Sequence, residues 1–224
     1  MFDRIADRYD WMNRIISLGT DKRWRRRLLD SLSLQAGEYV LDVATGTGDV
    51  AIAVAERFQG VHVHGLDPSI GMLARARIKG QKSNANPAVQ WVVGDAEDLP
   101  FDSNHFSACT IAFGIRNVLN RRRGIEEILR VVRPGGTIAI LELGTPTGHW
   151  LSPLARFHVQ NVVPRIGALL AGRQEYRYLQ ESIDQFPSSA IFRTQLTSAG
   201  LTDVRVSALT FGAAHLYTGR VADA

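Results

Sequence analysis

Between Tyr39 and Leu143 the chain alternates short apolar runs with stretches of helical period. Runs at about 39–44, 61–66, 89–94, 106–113 and 137–143 have the length of strands, and the stretches between them, about 48–58, 70–80 and 121–132, space their apolar residues three and four apart. On the first of these helices Val50, Val54 and Phe58 make one stripe with Ala51 and Ala55 beside it, a face apolar and small enough to lie close against a sheet. Such alternation predicts a parallel sheet with helices on both faces. After Gly144 the pattern changes: a long apolar segment runs from Trp150 to Leu170, a helix is expected at about 188–199, and strands at about 203–210 and 214–221. Residues 1–30 read as helical, with Phe2, Ile5, Tyr9, Met12, Ile15 and Ile16 near a 3.6 period and Trp24, Leu28 and Leu29 on a second helix after Gly19. The expected architecture is one α/β domain over residues 1–224. It holds a helical lid (1–35), a Rossmann-like core (36–144) and substrate-side helices with the last strands (145–224), its seven-stranded, mostly parallel sheet ending in an antiparallel edge.

Composition narrows the classes. A 224-residue chain with 45% hydrophobic content can bury a full core, which favours one large domain over two. The first thirty residues are charged throughout and hold no apolar run long enough for a signal or a span, so a cytoplasmic location is expected. Cys109 is the single cysteine and sits in an apolar run; it reads as a buried, inert thiol, and no metal site is expected. The net charge of +4 comes from arginine clustered at Arg23–Arg27 and Arg121–Arg123. Charge runs of this kind are usually solvated helix faces, and no RNA-binding signature or aromatic platform accompanies them, so no nucleic-acid partner is expected.

The chemistry gathers at the strand ends. In YVLDVATGTGD, residues 39–49, an apolar run carries Asp42 and breaks into a turn with Gly46 and Gly48 before a helix starts. Glycines there let the backbone approach a ligand, and Gly46, Gly48 and Ala51 also satisfy a dinucleotide-binding spacing. Charge separates the two readings. A pyrophosphate would be repelled by Asp42 and Asp49, whereas S-adenosylmethionine has no phosphate and carries a sulfonium and an ammonium that a carboxylate attracts. Strand two ends at Asp67, placed to accept from two ribose hydroxyls, and strand three at Gly94, Asp95 and Ala96, placed to read an adenine edge. Each alone could be a turn residue. Strand four ends in Gly114, Arg116 and Asn117, where the arginine has either a structural ion pair or a substrate to hold. RVVRPGG, residues 130–136, reads as architecture: Pro134 stops a helix and two glycines turn into strand five.

Taken in order, DVATGTGD, Asp67, GDAEDLPF and RVVRPGG resemble class I S-adenosylmethionine-dependent methyltransferases. FDRIADRYDWMNRIISLG followed by Trp24 and Arg25, then AFGIRNV, VVPRIG and YRYLQESI, are similar to the ubiquinone and menaquinone biosynthesis C-methyltransferase family across nearly the whole chain. The resemblance implies cofactor contacts at Thr47, Asp67, Asp95 and Ala96, beside Asp42, Gly46 and Gly48 from the reading of the turn. It adds Ala112, where some relatives carry Ser, so that only backbone contact remains there. It implies an active-site role for Arg116; Tyr9 on the lid and Asn117 after strand four are substrate-side candidates, Tyr9 and His158 are weaker candidates for a general base, and Tyr217 stands where some relatives have His. The implied reaction moves a methyl group from S-adenosylmethionine, leaving S-adenosylhomocysteine, to a ring carbon of a polyprenylated quinol. That substrate is a demethylmenaquinol or a 2-polyprenyl-6-methoxy-1,4-benzoquinol. The lipophilic substrate implies peripheral contact with the cytoplasmic face of a membrane through the arginine clusters, and a homodimer is left open. Two readings compete: a methyltransferase of another small aromatic, and a noncatalytic adenosylmethionine-binding protein.

Overall fold

A computed structural model describes residues 19–85, 88–144 and 173–223. The expectations for Tyr9, His158, the helix before Gly19 and the Trp150–Leu170 segment lie outside the described residues.

The first described helix is α1 (Asp21–Asp30), followed by β1 (Tyr39–Val43), α2 (Asp49–Arg57), β2 (His62–Asp67), α3 (Ile70–Gln81), β3 (Gln90–Val93), β4 (Phe106–Ala112) and a single 3₁₀ turn at Ile115–Asn117. Then come α4 (Arg121–Val131), β5 (Val132–Leu143), α5 (Arg173–Asp184), α6 (Ser189–Ser198), β6 (Leu201–Leu209) and β7 (Ala214–Val221). The strands form one sheet in the order β3-β2-β1-β4-β5-β7-β6. The first five run parallel; β7 is antiparallel to both of its neighbours.

Period-two alternation divides the core between the faces. Val40, Ala108, Ala139 and Leu141 meet α1 and α2 on one side, through Trp24, Leu28, Val50, Val54 and Ala55. Leu41, Val43, Cys109, Ile111, Ile138 and Ile140 meet α4 and α6 on the other, through Ile125, Ile128, Phe192 and Leu196. Side chains cap the helices that begin near the crevice: Ser69 Oγ accepts from Met72 N at 3.1 Å, and Asn120 Oδ1 from Arg123 N at 3.1 Å. Burial raises the Cys109 thiol well above its ordinary range, so it stays protonated and inert.

Two details differ from the sequence expectation, in strand five and in α5. The expected antiparallel edge is the β7–β6 pair, with β6 outermost. The four residues Ala214–Tyr217 of β7 are all buried, while β6 exposes Asp203 and Arg205, charges that suit an unpaired edge. Strand five starts at Val132 instead of about 137. Val132 pairs with Phe106 and Thr137 with Ala108, so five steps along β5 face two along β4, and Pro134, Gly135 and Gly136 form this bulge and not a separate turn. The helix α5 over RQEYRYLQESID was not anticipated, although its residues are good helix formers.

Because the chain goes outward from β1 in both directions, to β2 on one side and β4 on the other, the carboxyl ends of β1 and β4 flank a topological switch point. The glycine turn closes that crevice on one side and is pinned by Trp91 of β3. Gly48 has φ +84°, and a Cβ there would stand 2.5 Å from the Trp91 indole. Gly48→Ala therefore meets a left-handed backbone penalty of about 1–2 kcal/mol and an overpacking cost of about 1–3 kcal/mol. Its urea midpoint should fall correspondingly, and the double variant Gly48→Ala/Trp91→Leu should recover the packing part alone. A full recovery would mean that the backbone carries no strain.

Candidate cofactor crevice

At the carboxyl end of β1, Asp42 is 1% exposed and lies opposite Thr110 of β4 in the parallel register. Its two oxygens each accept a hydroxyl: Oδ1 from Thr110 Oγ1 and Oδ2 from Thr45 Oγ1, both at 2.6 Å. Burial pushes the Asp42 carboxyl up to about 6, with the two hydroxyl bonds opposing the shift. It lines a narrow cleft of about 20 Å³ with Arg25, Thr47, Asp49 and Ala112.

That cleft adjoins a larger cavity of about 230 Å³, since Ala44 and Gly46 line both. The larger one is walled by Asp67 and Pro68 from β2 and its loop, by Asp95, Ala96 and Glu97 after β3, and by Phe113, Gly114 and Asn117 after β4. Asp67 is oriented by two backbone donors, Gly46 N–H to Oδ2 at 2.8 Å and Ser69 N–H to Oδ1 at 2.9 Å. Asp95 accepts from Glu97 N at 2.9 Å, which fixes an exposed Asx-type turn over the buried Ala96. The structure thus brings Asp42, Gly46, Asp67, Asp95, Ala96 and Ala112 around two adjoining cavities. Thr47 lines the smaller one and accepts from Lys79 Nζ at 3.0 Å, while Gly48 caps α2 in the left-handed conformation.

Backbone strain marks the rim. Ala44 (φ +51°) and Phe113 (φ +59°) both sit in the left-handed region at the ends of β1 and β4. The two loops press together so closely that a Cβ at Gly114 would stand 2.5 Å from the Ala44 methyl.

Arg116 has the ion pair that the sequence left open. Its Nη1 lies 2.5 Å from Glu142 Oε1 and donates to the Phe113 carbonyl at 2.7 Å; the two side chains are 7% and 0% exposed. Glu142 also accepts from the backbone of Arg116 at 3.2 Å and of Leu143 at 2.8 Å, so this carboxylate stitches the β4 loop to β5. Asn117 reaches the larger cavity, and its Oδ1 accepts from Tyr178 Oη at 3.2 Å, which joins the FGIRN and YRYLQESI segments in space. Tyr217 is 2% exposed, and burial together with the Glu142 charge pushes its phenol far up, so it remains a neutral core residue.

Four contributors escape a strand-end reading. Thr110 and Lys79 carry no local signal, because their partners are set by register. Arg25 is hidden in a charge run. Glu142 does leave a trace: a carboxylate inside the apolar run of strand five must find a partner.

Comparisons with known proteins agree with the fold. A family model described as the ubiE/COQ5 methyltransferase family matches residues 1–220. The chain is 42% identical over 220 residues to the "Ubiquinone/menaquinone biosynthesis C-methyltransferase UbiE" of Geobacter sp. (strain M21), covering 98% of this chain and 94% of the relative. It is 40% identical over 220 residues to the "Demethylmenaquinone methyltransferase" of Thermus thermophilus, covering 98% of this chain and 99% of the relative. Among solved structures, a methyltransferase in complex with the Haloferax volcanii Trm112 activator aligns with a TM-score of 0.71 at 21% identity, covering 99% of this chain and 98% of the other. The Haemonchus contortus phosphoethanolamine N-methyltransferase 2, solved with S-adenosyl-L-methionine, aligns with a TM-score of 0.68 at 19% identity, covering 99% and 57%. At these identities the structures speak for the fold.

Two measurements follow from this geometry. Arg116→Ala leaves Glu142 buried without its cation, a change that costs about 3–5 kcal/mol. The urea midpoint should drop accordingly, and Arg116→Ala/Glu142→Gln should regain a large share; an unshifted midpoint for the single variant would show that the pair does no structural work. Asp42 has a raised carboxyl, so its burial favours the fold below the ordinary value of 3.8 and that contribution is lost as pH rises towards about 6. A cationic ligand acts in the opposite sense, favouring the ionised carboxylate. Affinity for S-adenosylmethionine should therefore rise between about pH 5 and pH 7 with an inflection near 6, and calorimetry on Asp42→Asn should show that inflection removed.

Proposed function

Since the chain belongs to the ubiE/COQ5 methyltransferase family along residues 1–220, we propose that it is an S-adenosylmethionine-dependent C-methyltransferase acting on a polyprenylated quinol in menaquinone or ubiquinone biosynthesis. The observation that carries this reading is the full-length match to relatives named for that reaction, on a chain whose carboxylates line the switch-point crevice. The substrate is a demethylmenaquinol, a 2-polyprenyl-6-methoxy-1,4-benzoquinol, or both.

The cofactor supplies an electrophilic methyl on a sulfonium. Around it this chain's residues have separate tasks. Asp67 takes the ribose hydroxyls, Asp95 and Ala96 the adenine edge, and Asp42 sets a negative field beneath the positive end. Thr47, the turn glycines and Ala112 shape the floor. On the quinol side a phenolic proton leaves, the ring carbon forms its bond to the methyl carbon as the sulfur–methyl bond breaks, the displaced ring hydrogen departs as a proton to restore aromaticity, and the resulting phenolate oxygen takes a proton back. The products are the methylated quinol, S-adenosylhomocysteine and a proton. The chain's contribution is to align the reactants and keep bulk water from the transferring methyl.

Arg116 belongs to this site as a positioning residue. Its guanidinium, neutralised by Glu142, holds the 3₁₀ turn that presents Asn117 to the larger cavity. The direct catalytic role implied by resemblance would need the same charge to face a phenolate as well, and Nη1 is already bonded to Glu142 and to the Phe113 carbonyl.

A bilayer-resident quinol calls for peripheral contact. No helix among the described residues is long and apolar enough to cross a membrane. Lys22, Arg23, Arg26 and Arg27 are exposed on α1, and Arg122 and Arg123 on α4. These cations are the surface we assign to an anionic leaflet.

The deciding experiment supplies labelled S-adenosylmethionine with naphthoquinol and benzoquinol substrates in vesicles. The expected result is label on a ring carbon, at a rate higher on anionic than on neutral vesicles and lowered by salt. Label on a small soluble aromatic but on neither quinol would favour the alternative methyltransferase reading. Tight cofactor binding without any transfer would retire the enzyme.

A further inference from the structure

Gly65 lies beside Asp42 in the β1–β2 register and beside Trp91 in the β2–β3 register, so Trp91, Gly65, Asp42 and Thr110 form one row across four strands. Thr110 completes the Asp42 clamp from one side of that row. On the other side the row holds a glycine, and the indole of Trp91 uses the gap. A Cβ at Gly65 would stand 2.7 Å from the indole and 3.0 Å from Thr45 Oγ1, the hydroxyl that donates to Asp42 Oδ2. Indole and hydroxyl therefore converge above Gly65.

The same ring meets two more elements. A Cβ at Gly48, in the turn, would stand 2.5 Å from it, and one at Gly80, on α3, 3.3 Å. Glycine inside a strand or a helix lowers stability, and a close approach by another group is a usual reason for it. Here the turn, β2 and α3 each leave out a side chain, and the space is filled by one indole. Lys79, next to Gly80, reaches the turn as well: its Nζ donates to Thr47 Oγ1 at 3.0 Å and to Asp49 Oδ1 at 2.6 Å. The turn is thus held from behind, while Gly46 and Thr47 at its front line the cleft.

Support of this kind bears on affinity. Gly46 and Gly48 both adopt positive φ, at +58° and +84°, and a turn built on such residues has more backbone freedom to lose than one built on any others. A binding backbone that is free in the empty protein must be ordered when the ligand arrives, and affinity falls by that cost. A packed aromatic removes the freedom beforehand. Trp91 itself lines neither cavity, so its effect on a ligand passes through the turn and through the Thr45–Asp42 bond.

We propose that Trp91 is a positioning residue for the cofactor: by filling the space over Gly65 and behind Gly48 it holds the glycine turn in its binding shape and keeps water from the Thr45–Asp42 bond. The assignment rests on the cofactor reading above and extends it to a side chain of the third strand, outside the crevice.

Calorimetry on Trp91→Leu, Trp91→Phe and Phe192→Leu tests this. Phe192 is a buried residue of α6 on the opposite face of the sheet, so its variant loses stability without loosening the turn. Trp91→Leu should bind S-adenosylhomocysteine about 10- to 100-fold more weakly, the scale on which a small misplacement of binding groups acts. Trp91→Phe should lose less, because a ring remains, and Phe192→Leu should bind like wild type although its urea midpoint falls. A second readout separates positioning from bulk stability. The groups that face Asp42 are the Thr110 and Thr45 hydroxyls, the Ala51 N–H and the Arg25 charge, and all remain in Trp91→Leu. Water admitted beside them relieves the burial of the carboxylate, so the pH inflection for S-adenosylmethionine binding should move below about 6. An unchanged affinity in Trp91→Leu, an unmoved inflection, or an equal loss in Phe192→Leu would overturn the proposal. Trp91→Phe, the milder change, carries the same test should Trp91→Leu fail to fold. A wild-type protein that binds neither ligand would instead overturn the cofactor reading itself.

Discussion

The bond on which the crevice depends is the double hydroxyl clamp on Asp42. A carboxylate at 1% exposure is a liability unless its oxygens are satisfied, and here Thr45 and Thr110 each satisfy one. Thr110 is the residue beside Asp42 in the β1–β4 register, so the clamp exists only if those two strands pair as they do. Thr45 opens the glycine turn, so the same carboxylate also sets where the chain leaves β1. One buried charge thereby ties the switch point, the turn and the field in the crevice together. The cost is visible in its raised carboxyl, which ionises near 6 and so still carries a charge at neutral pH.

Strain accumulates around this clamp. Ala44 and Phe113 adopt the left-handed conformation on facing loops, and Gly114 leaves no room for a side chain against Ala44. Non-glycine residues stay in that region only when their surroundings over-determine them. For Phe113 those surroundings are identifiable. Its N–H donates to the Leu141 carbonyl at 2.7 Å, its carbonyl accepts from Arg116, and its ring sits between Trp24 and the Arg25 guanidinium. The Arg116–Glu142 pair is therefore part of the support for a strained rim. A buried ion pair contributes little net stability, but it resists displacement because removing either partner strands the other.

What the sequence disclosed and what it hid follow one physical line. Asp42, Asp67 and Asp95 were legible because a carboxylate closing an apolar run is unusual and has few explanations. The five parallel strands were legible because their apolar runs had strand length and alternated with helical periods. The β5 bulge was not, since Pro134 and two glycines after a helix look like a stop and a turn whether or not the backbone resumes pairing. Thr110, Lys79 and Glu142 act through partners 68, 30 and 26 residues away, and no local pattern encodes such distances. Arg25 was in plain view but inside an arginine cluster, where a solvated face is the ordinary explanation.

The same geometry explains why a glycine turn with dinucleotide-like spacing should serve a phosphate-free cofactor. A turn that cradles pyrophosphate needs free backbone N–H groups and an unobstructed helix N-terminus. Here the Gly46 N–H is donated to the chain's own Asp67, the Gly48 N–H to the Thr45 carbonyl, and the first residue of α2 is Asp49. Among the described residues, Arg25 and Lys79, the cations beside the turn, both pair with Asp49. A sulfonium and an ammonium meet no such obstacle, because the carboxylates that would repel phosphate attract them. The choice of cofactor is thus made less by the glycines, which both classes share, than by the acceptors that consume the turn's donors.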